Sequence, residues 1–203
     1  MTAGRWDRTT WFGWGLMTLA AIGVAGYGAA AMVLSTSGQL PSMPHHYPDR
    51  VIAAAVHFGL GGLALLIGPL QFLPGLRARW PALHRWTGRA YVAACFASGL
   101  AALVMSPNVH TGTVARVGFT LLAVGWLTTT STALFMALKR RFAEHRRWMI
   151  RSYALTLAAV TLRILLPTSS LLDIPFESAY PVIAYACWIP NVIFADWWLR
   201  RHW

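Results

Sequence analysis

Apolar residues run along the chain in six long blocks, at roughly 11–35, 51–73, 87–106, 114–137, 148–166 and 179–198. Each is close to the ~20 mainly apolar residues that a helix needs to cross the hydrocarbon of a bilayer. The polar positions cluster between the blocks, in short connections rich in proline, glycine and charge: Pro41 to Arg50, Pro74 to Arg85, Pro107 to Thr113, Lys139 to Arg147 and Pro167 to Pro175. The pattern predicts an all-α integral membrane protein, a six-transmembrane-helix bundle in one membrane domain over 1–203. Pro181 suits a first helical turn, where its missing N–H does no harm. Pro190 should kink the sixth span near its centre. Spans 2–5 should form the core, with spans 1 and 6 at the periphery.

Composition supports this reading. Apolar residues make up 57% and charged residues 11%, against roughly 45–50% and about 25% in soluble domains. The net charge of +11 would otherwise suggest nucleic acid, but its distribution supplies another cause. With the N-terminus inside, fourteen of the seventeen basic residues fall on the inner side: Arg5, Arg8, Arg77, Arg79, Arg85, Arg89, Lys139, Arg140, Arg141, Arg146, Arg147, Arg151, Arg200 and Arg201. Only Arg50, Arg116 and Arg163 fall towards the outer side. Such a bias orients a membrane protein, predicts both termini in the cytoplasm, and places the chain in a bacterial inner membrane. The partner it implies is a lipid bilayer with anionic headgroups; nucleic acid is not needed. The first apolar run is far longer than the 7–15 residues of a signal-peptide core, so it should remain as the first span. Cys95 and Cys187 lie inside spans, without metal or disulfide spacing.

The chain also echoes itself. His84-Arg85-Trp86-Thr87-Gly88-Arg89-Ala90-Tyr91 opens the third span and His145-Arg146-Arg147-Trp148-Met149-Ile150-Arg151-Ser152-Tyr153 opens the fifth. Both contain W-x-x-R-x-Y closely preceded by His-Arg, so spans 2–3 are echoed by spans 4–5, in parallel rather than inverted sense. Trp, Arg and Tyr at the start of a span can serve as an interfacial anchor. Anchoring has no need for a histidine in each copy, so His84 and His145 are also candidates for a paired site.

Ionisable groups inside a bilayer are costly, and each is a functional candidate. His57 lies about two turns into the second span, with Gly61, Ala64, Gly68 and Gln71 on its face. Small residues there permit either close helix packing or a flat ligand. Arg163 lies eighteen residues after His145, on one stripe with Ser152, Thr156 and Ala159. It could snorkel, pair with Asp173 or Glu177, or hold an anionic ligand. His110 precedes the fourth span, and His45-His46 make a poor metal pair. Asp196 is placed to balance Arg200 one turn on. The run Thr128-Thr129-Thr130-Ser131-Thr132 reads as interhelical glue or as hydroxyls bonded back to their own helix.

Taken in order, His57-x3-Gly61, Gly68-Pro69-Leu70-Gln71-Phe72, His84-Arg85-Trp86-Thr87-Gly88-Arg89, His145-Arg146-Arg147-Trp148-Met149-Ile150-Arg151 and Leu162-Arg163 resemble a bacterial family of predicted membrane proteins, domain of unknown function 2306. The resemblance covers roughly residues 50–167 and implies that these residues form the family signature. More loosely, the layout is similar to cytochrome b561-like proteins, whose six spans hold two haems through histidine pairs. That likeness implies His84 and His145 as axial ligands of a haem b, with Arg89, Arg151 and Arg163 near anionic groups and Trp86, Trp148, Gln71 and His110 as further candidates. Against it, His110 lies in a loop, Phe119 stands where the repeat would place a second outer histidine, and His84 and His145 are shallow.

Three functions remain open. One is a membrane b-type electron carrier between a quinol or soluble donor and an outer acceptor, with His57 as ligand or quinone contact. Another is a non-redox binder or transporter of a small anion, lipid or quinone, with His57 and Arg163 lining a cavity. The third is a structural accessory subunit. With no nucleophile–base pair, phosphate loop or carboxylate dyad in view, hydrolase and kinase chemistry are poor readings.

Overall fold

The computed structural model describes residues 8–36, 50–73 and 75–202. The described residues form helices and turns, with no strand among them: α1 (Arg8–Thr36), α2 (Val51–Ile67), α3 (Leu76–Arg79), α4 (Pro81–Met105), α5 (Thr113–Leu138), α6 (Phe142–Thr156), α7 (Ala158–Leu171), α8 (Phe176–Ala186) and α9 (Ile189–His202). Among them are six stretches long and apolar enough to cross a membrane: Arg8–Ala30, Val51–Phe72, Pro81–Asn108, Thr113–Leu138, Phe142–Leu171 and Phe176–His202. The six blocks read from the sequence correspond one to one.

Several boundaries move, each for a local reason. The third span begins at Pro81, six residues before the apolar run, because proline is pre-organised for a first turn. The fifth continues through Pro167 to Leu171, into the expected loop. Pro181 sits inside α8, because that helix already starts at Phe176.

The two last spans are broken rather than continuous. The fifth changes helix at Leu157, between α6 and α7. In the sixth, Cys187 and Trp188 separate α8 from α9, and Pro190 then lies in the first turn of the new helix. In place of the expected kink at Pro190 there is a short turn just before it, and the two interruptions are tied together. Asn191 Nδ2 donates to the carbonyls of Ala154 (3.3 Å) and Cys187 (3.2 Å) and lies 3.0 Å from Thr161 Oγ1. Its amide caps groups that the interrupted helices leave open, as irregular backbone at membrane depth requires.

α2 packs along α4, α5 against both α4 and α6, and α1 leans on α2 and α7. The sixth span is not peripheral as expected: Ala179, Ile183, Ala184 and Cys187 are buried against α5 and α7. The centre holds Tyr91, Cys95, Trp126, Met149 and Tyr153. Its polar atoms satisfy one another. The Tyr91 hydroxyl lies 2.9 Å from Thr156 Oγ1 and 3.1 Å from Ser152 Oγ. Trp126 Nε1 donates to Thr156 Oγ1 at 3.0 Å, and Thr130 Oγ1 is 2.7 Å from Ser152 Oγ. Within the threonine run, Thr129, Ser131 and Thr132 bond back to their own helix, and Thr130 also crosses to α6.

Candidate functional site

The ionisable residues gather at two levels of the bundle. The basic level holds the starts of α4 and α6; the other holds the first half of α2 and the first half of α7.

At the latter, His57 is fixed by α4. Its Nδ1 lies 3.0 Å from the Ser98 carbonyl, which can only accept, so Nδ1 carries the proton and Nε2 is left as the open nitrogen. Ser98 Oγ answers by donating to the His57 carbonyl at 2.9 Å. This clasp explains Gly61, where a methyl would press on Ser98 Oγ at 2.9 Å. Gly68, further along the same face, meets the Tyr153 ring so closely that any side chain would overlap it. Gln71 donates to Thr87 Oγ1 at 2.7 Å. The small-residue face of α2 is thus taken up by packing against α4 and α6, which leaves it no flat ligand surface.

Arg163 on α7 is an electrostatic neighbour of His57. Its Nη1 donates to the Ala159 carbonyl at 3.2 Å, and its guanidinium lies 5.7 Å from the centre of the Tyr27 ring of α1. Tyr180 of α8 is a further neighbour. The Arg163 Nε is buried with no hydrogen-bond partner. Neither Asp173 nor Glu177 pairs with it: among the described residues the ion pairs are Arg141–Glu144 and Arg151–Asp196. Pro167 lacks an N–H, so the Arg163 carbonyl also loses its usual intrahelical donor. The expected stripe linking Arg163 to His145 is interrupted by the break at Leu157, and its middle members Ser152 and Thr156 belong to the central hydroxyl cluster.

At the basic level the two echoed motifs adopt matching arrangements. Arg89 lies 4.9 Å over Trp86, and Arg151 4.7 Å over Trp148. Tyr91 and Tyr153 turn inward, ring centres 6.4 Å apart. The copies differ in one partner. Arg151 Nε donates to Asp196 Oδ1 at 2.7 Å, so Asp196 holds α9 to α6 rather than balancing Arg200. The reason is direction: Arg200 lies one turn further along the same helix, whereas Arg151 faces Asp196 across the α6–α9 contact.

His145 Nδ1 lies 2.8 Å from the Ala133 carbonyl, which again leaves Nε2 open. His84 Nδ1 is buried without a partner, and its charged or chargeable neighbours are Arg77, His145 and Arg85. His145 is thus an electrostatic neighbour of His84. The structure does not bring His57 to His110, which is exposed in the turn before α5 while His57 faces α4. His45-His46 lie outside the described residues.

The family model described as "Predicted membrane protein (DUF2306)" matches residues 54–199. The chain belongs to this family. The DUF2306 region contains His57, His84, His145 and Arg163 and reaches through α9 to include Asp196, beyond the stretch read from the motifs. It leaves out α1, and with it Tyr27. No curated protein and no solved structure matches the chain, so the looser likeness to cytochrome b561-like proteins rests on histidine placement alone.

Ser98, Tyr27, Tyr180 and Asn191 were not singled out in the sequence. Ser98 had one available signal: it lies fourteen residues after His84 on the polar face that His84, Tyr91 and Cys95 trace along α4. The aromatic pair around Arg163 comes from α1 and α8, and no local spacing links those segments.

Proposed function

We propose that this multi-pass membrane protein binds an anionic ligand at the level of His57 and Arg163, without redox chemistry. The observation that supports this reading is the buried Arg163 Nε, which has no partner on a cation that no carboxylate among the described residues neutralises. Insertion scales put an arginine at roughly 2.5–3.5 kcal/mol at the centre of a span, and Arg163, off the centre, carries part of that cost. A carboxylate or phosphate would accept from the guanidinium in the bidentate manner that arginine favours, beside the open His57 Nε2. In the proposed orientation both termini face the cytoplasm of a bacterial inner membrane, following the fourteen-to-three distribution of basic residues, and this site lies towards the outer face. Thermal stability of the purified protein across a panel of anions and anionic lipids tests the reading. At least one should raise the midpoint in the parent protein and not in Arg163→Gln; equal responses in both proteins contradict it.

A second reading has its own observation. His145 Nε2 and the orphaned His84 Nδ1 are ligand-type nitrogens on electrostatically neighbouring side chains, with Arg77 and Arg85 as further neighbours of His84 for carboxylate groups. These residues would hold a haem b, which when bound would supply one-electron chemistry for a quinone or another redox partner. Less favourable is the layer directly inward, which is filled by Gln71, Phe72, Met149 and the two tyrosines. Among the described residues no group of three or more His, Cys, Asp or Glu comes together. An absorption spectrum of protein from haem-supplemented cells separates the readings. A Soret band lost in His84→Ala would favour the cytochrome, and a colourless preparation the anion site.

A further inference from the structure

The surroundings of Arg163 differ on its two sides, and the difference bears on how a ligand would arrive. Towards the bundle, the cation is backed by His57, which is locked to Ser98. Towards α1 it meets Tyr27, whose side chain is 58% exposed on the surface that a bilayer would cover. α1 touches the bundle through Ala21 and Ala25, packed with Leu65 and Val160. Helical spacing continues this row to Gly28, yet a methyl placed on Gly28 would meet nothing within 4 Å. Beyond Ala25 the row therefore leaves room at Gly28, and Tyr27 is the α1 residue that meets Arg163. On this side the guanidinium is therefore flanked by an aromatic ring that itself faces the bilayer.

From this we infer that the ligand is a single-chain amphiphile, a lipid-like molecule with a carboxylate or phosphate head. It enters laterally from the bilayer, head to Arg163 and tail left among the chains beside α1. The inference rests on the anion-site reading and adds the class of ligand and its route. A head drawn in from the interface keeps its tail in hydrocarbon throughout, so only the charged group changes surroundings. A small hydrated anion gains nothing from an approach on the lipid-facing side. The Tyr27 ring, already stacked near the guanidinium, would shield the ion pair from the acyl chains.

The test uses the full chain in nanodiscs of zwitterionic phosphatidylcholine, with spin-labelled oleate as probe. Unlabelled oleate, lysophosphatidate, acetate and inorganic phosphate serve as competitors. Oleate and lysophosphatidate should displace the probe, while acetate and phosphate at hundredfold excess should not. Arg163→Gln should weaken probe binding at least tenfold. Tyr27→Ala, on an exposed position that folding tolerates, should weaken it about threefold. If Arg163→Gln yields no folded protein, Tyr27→Ala carries the decision. Displacement by acetate or phosphate as effective as by oleate would overturn the lateral amphiphile while leaving an anion site at Arg163. Probe binding unchanged in both variants would overturn the site as well.

Discussion

Tyr91 and Tyr153 occupy the same position in two copies of one motif, and they meet at the centre of the bundle with ring centres 6.4 Å apart and planes inclined at 48°. Their hydroxyls are used differently. Tyr91 reaches Ser152 and Thr156, whereas Tyr153 donates to the Leu65 carbonyl at 3.1 Å. Each therefore ties its own helix to a different neighbour.

Removing the two hydroxyls should have unequal effects. Tyr91→Phe leaves two buried hydroxyls short of a partner and should cost about 1–2 kcal/mol. Tyr153→Phe strands the buried Leu65 carbonyl, whose intrahelical donor would be the N–H that Pro69 lacks, and should cost about 1–3 kcal/mol, the larger loss of the two. Reversible unfolding in mixed micelles measures both, and a larger loss for Tyr91→Phe, whose partners Ser152 and Thr156 keep other hydrogen bonds, would contradict the arrangement.

The two α2 glycines should separate in the same assay. Gly68→Ala places a methyl into the Tyr153 ring and should destabilise by about 1–3 kcal/mol, as overpacking of a filled core does. Gly61→Ala meets only Ser98 Oγ, which can rotate, so its stability loss should be the smaller. Equal losses would mean that the α2 face is looser than described.

Much of the architecture was legible because a bilayer imposes strict rules on a sequence. Six apolar blocks, proline-marked connections and the echoed motif correspond to observed spans and to the paired Trp–Arg stacks. The breaks at Leu157 and at Cys187–Trp188 were harder to see. Leu157 lies in an unbroken apolar run, and the groups that relieve its break come from Asn191, which is distant in sequence. The partner of Asp196 was missed for a similar reason: an i+4 arginine is visible in the sequence, and a partner on another helix is not. Of the candidate site residues, His57 and Arg163 stood out as charges at membrane depth. Tyr27 and Tyr180 did not, since aromatic residues in spans are ordinary until the fold gathers them.

The Arg151–Asp196 pair is partly exposed, so its coupling should be small. A double-mutant cycle with Arg151→Ala and Asp196→Ala should give roughly 0.2–1 kcal/mol. Arg89, the echo of Arg151, makes no ion pair among the described residues. Arg89→Ala should therefore show no coupling to Asp196→Ala. A coupling above 2 kcal/mol for Arg151 would show a drier contact than the structure has.

Asn191 joins the two helix breaks, so Asn191→Leu should strand the Ala154 and Cys187 carbonyls and cost about 1–3 kcal/mol. Hydrogen exchange should rise at Leu157 to Thr161 and at Cys187 to Val192, and not in α4. Uniform exchange across all spans would contradict the latch.

The central claim is that Arg163 is kept at a cost for the sake of a ligand. The most direct measurement is the stability of Arg163→Met in neutral detergent, with and without an anionic amphiphile such as oleate. Exchanging even a buried ion pair for apolar side chains of similar volume is often neutral, or stabilising by about 1–4 kcal/mol. A cation without a carboxylate partner lacks the attraction that offsets its desolvation. Arg163→Met should therefore be more stable than the parent protein without ligand, and oleate should stabilise only the parent. A less stable Arg163→Met, with oleate acting equally on both proteins, would show that the arginine serves the fold and that the site is not one.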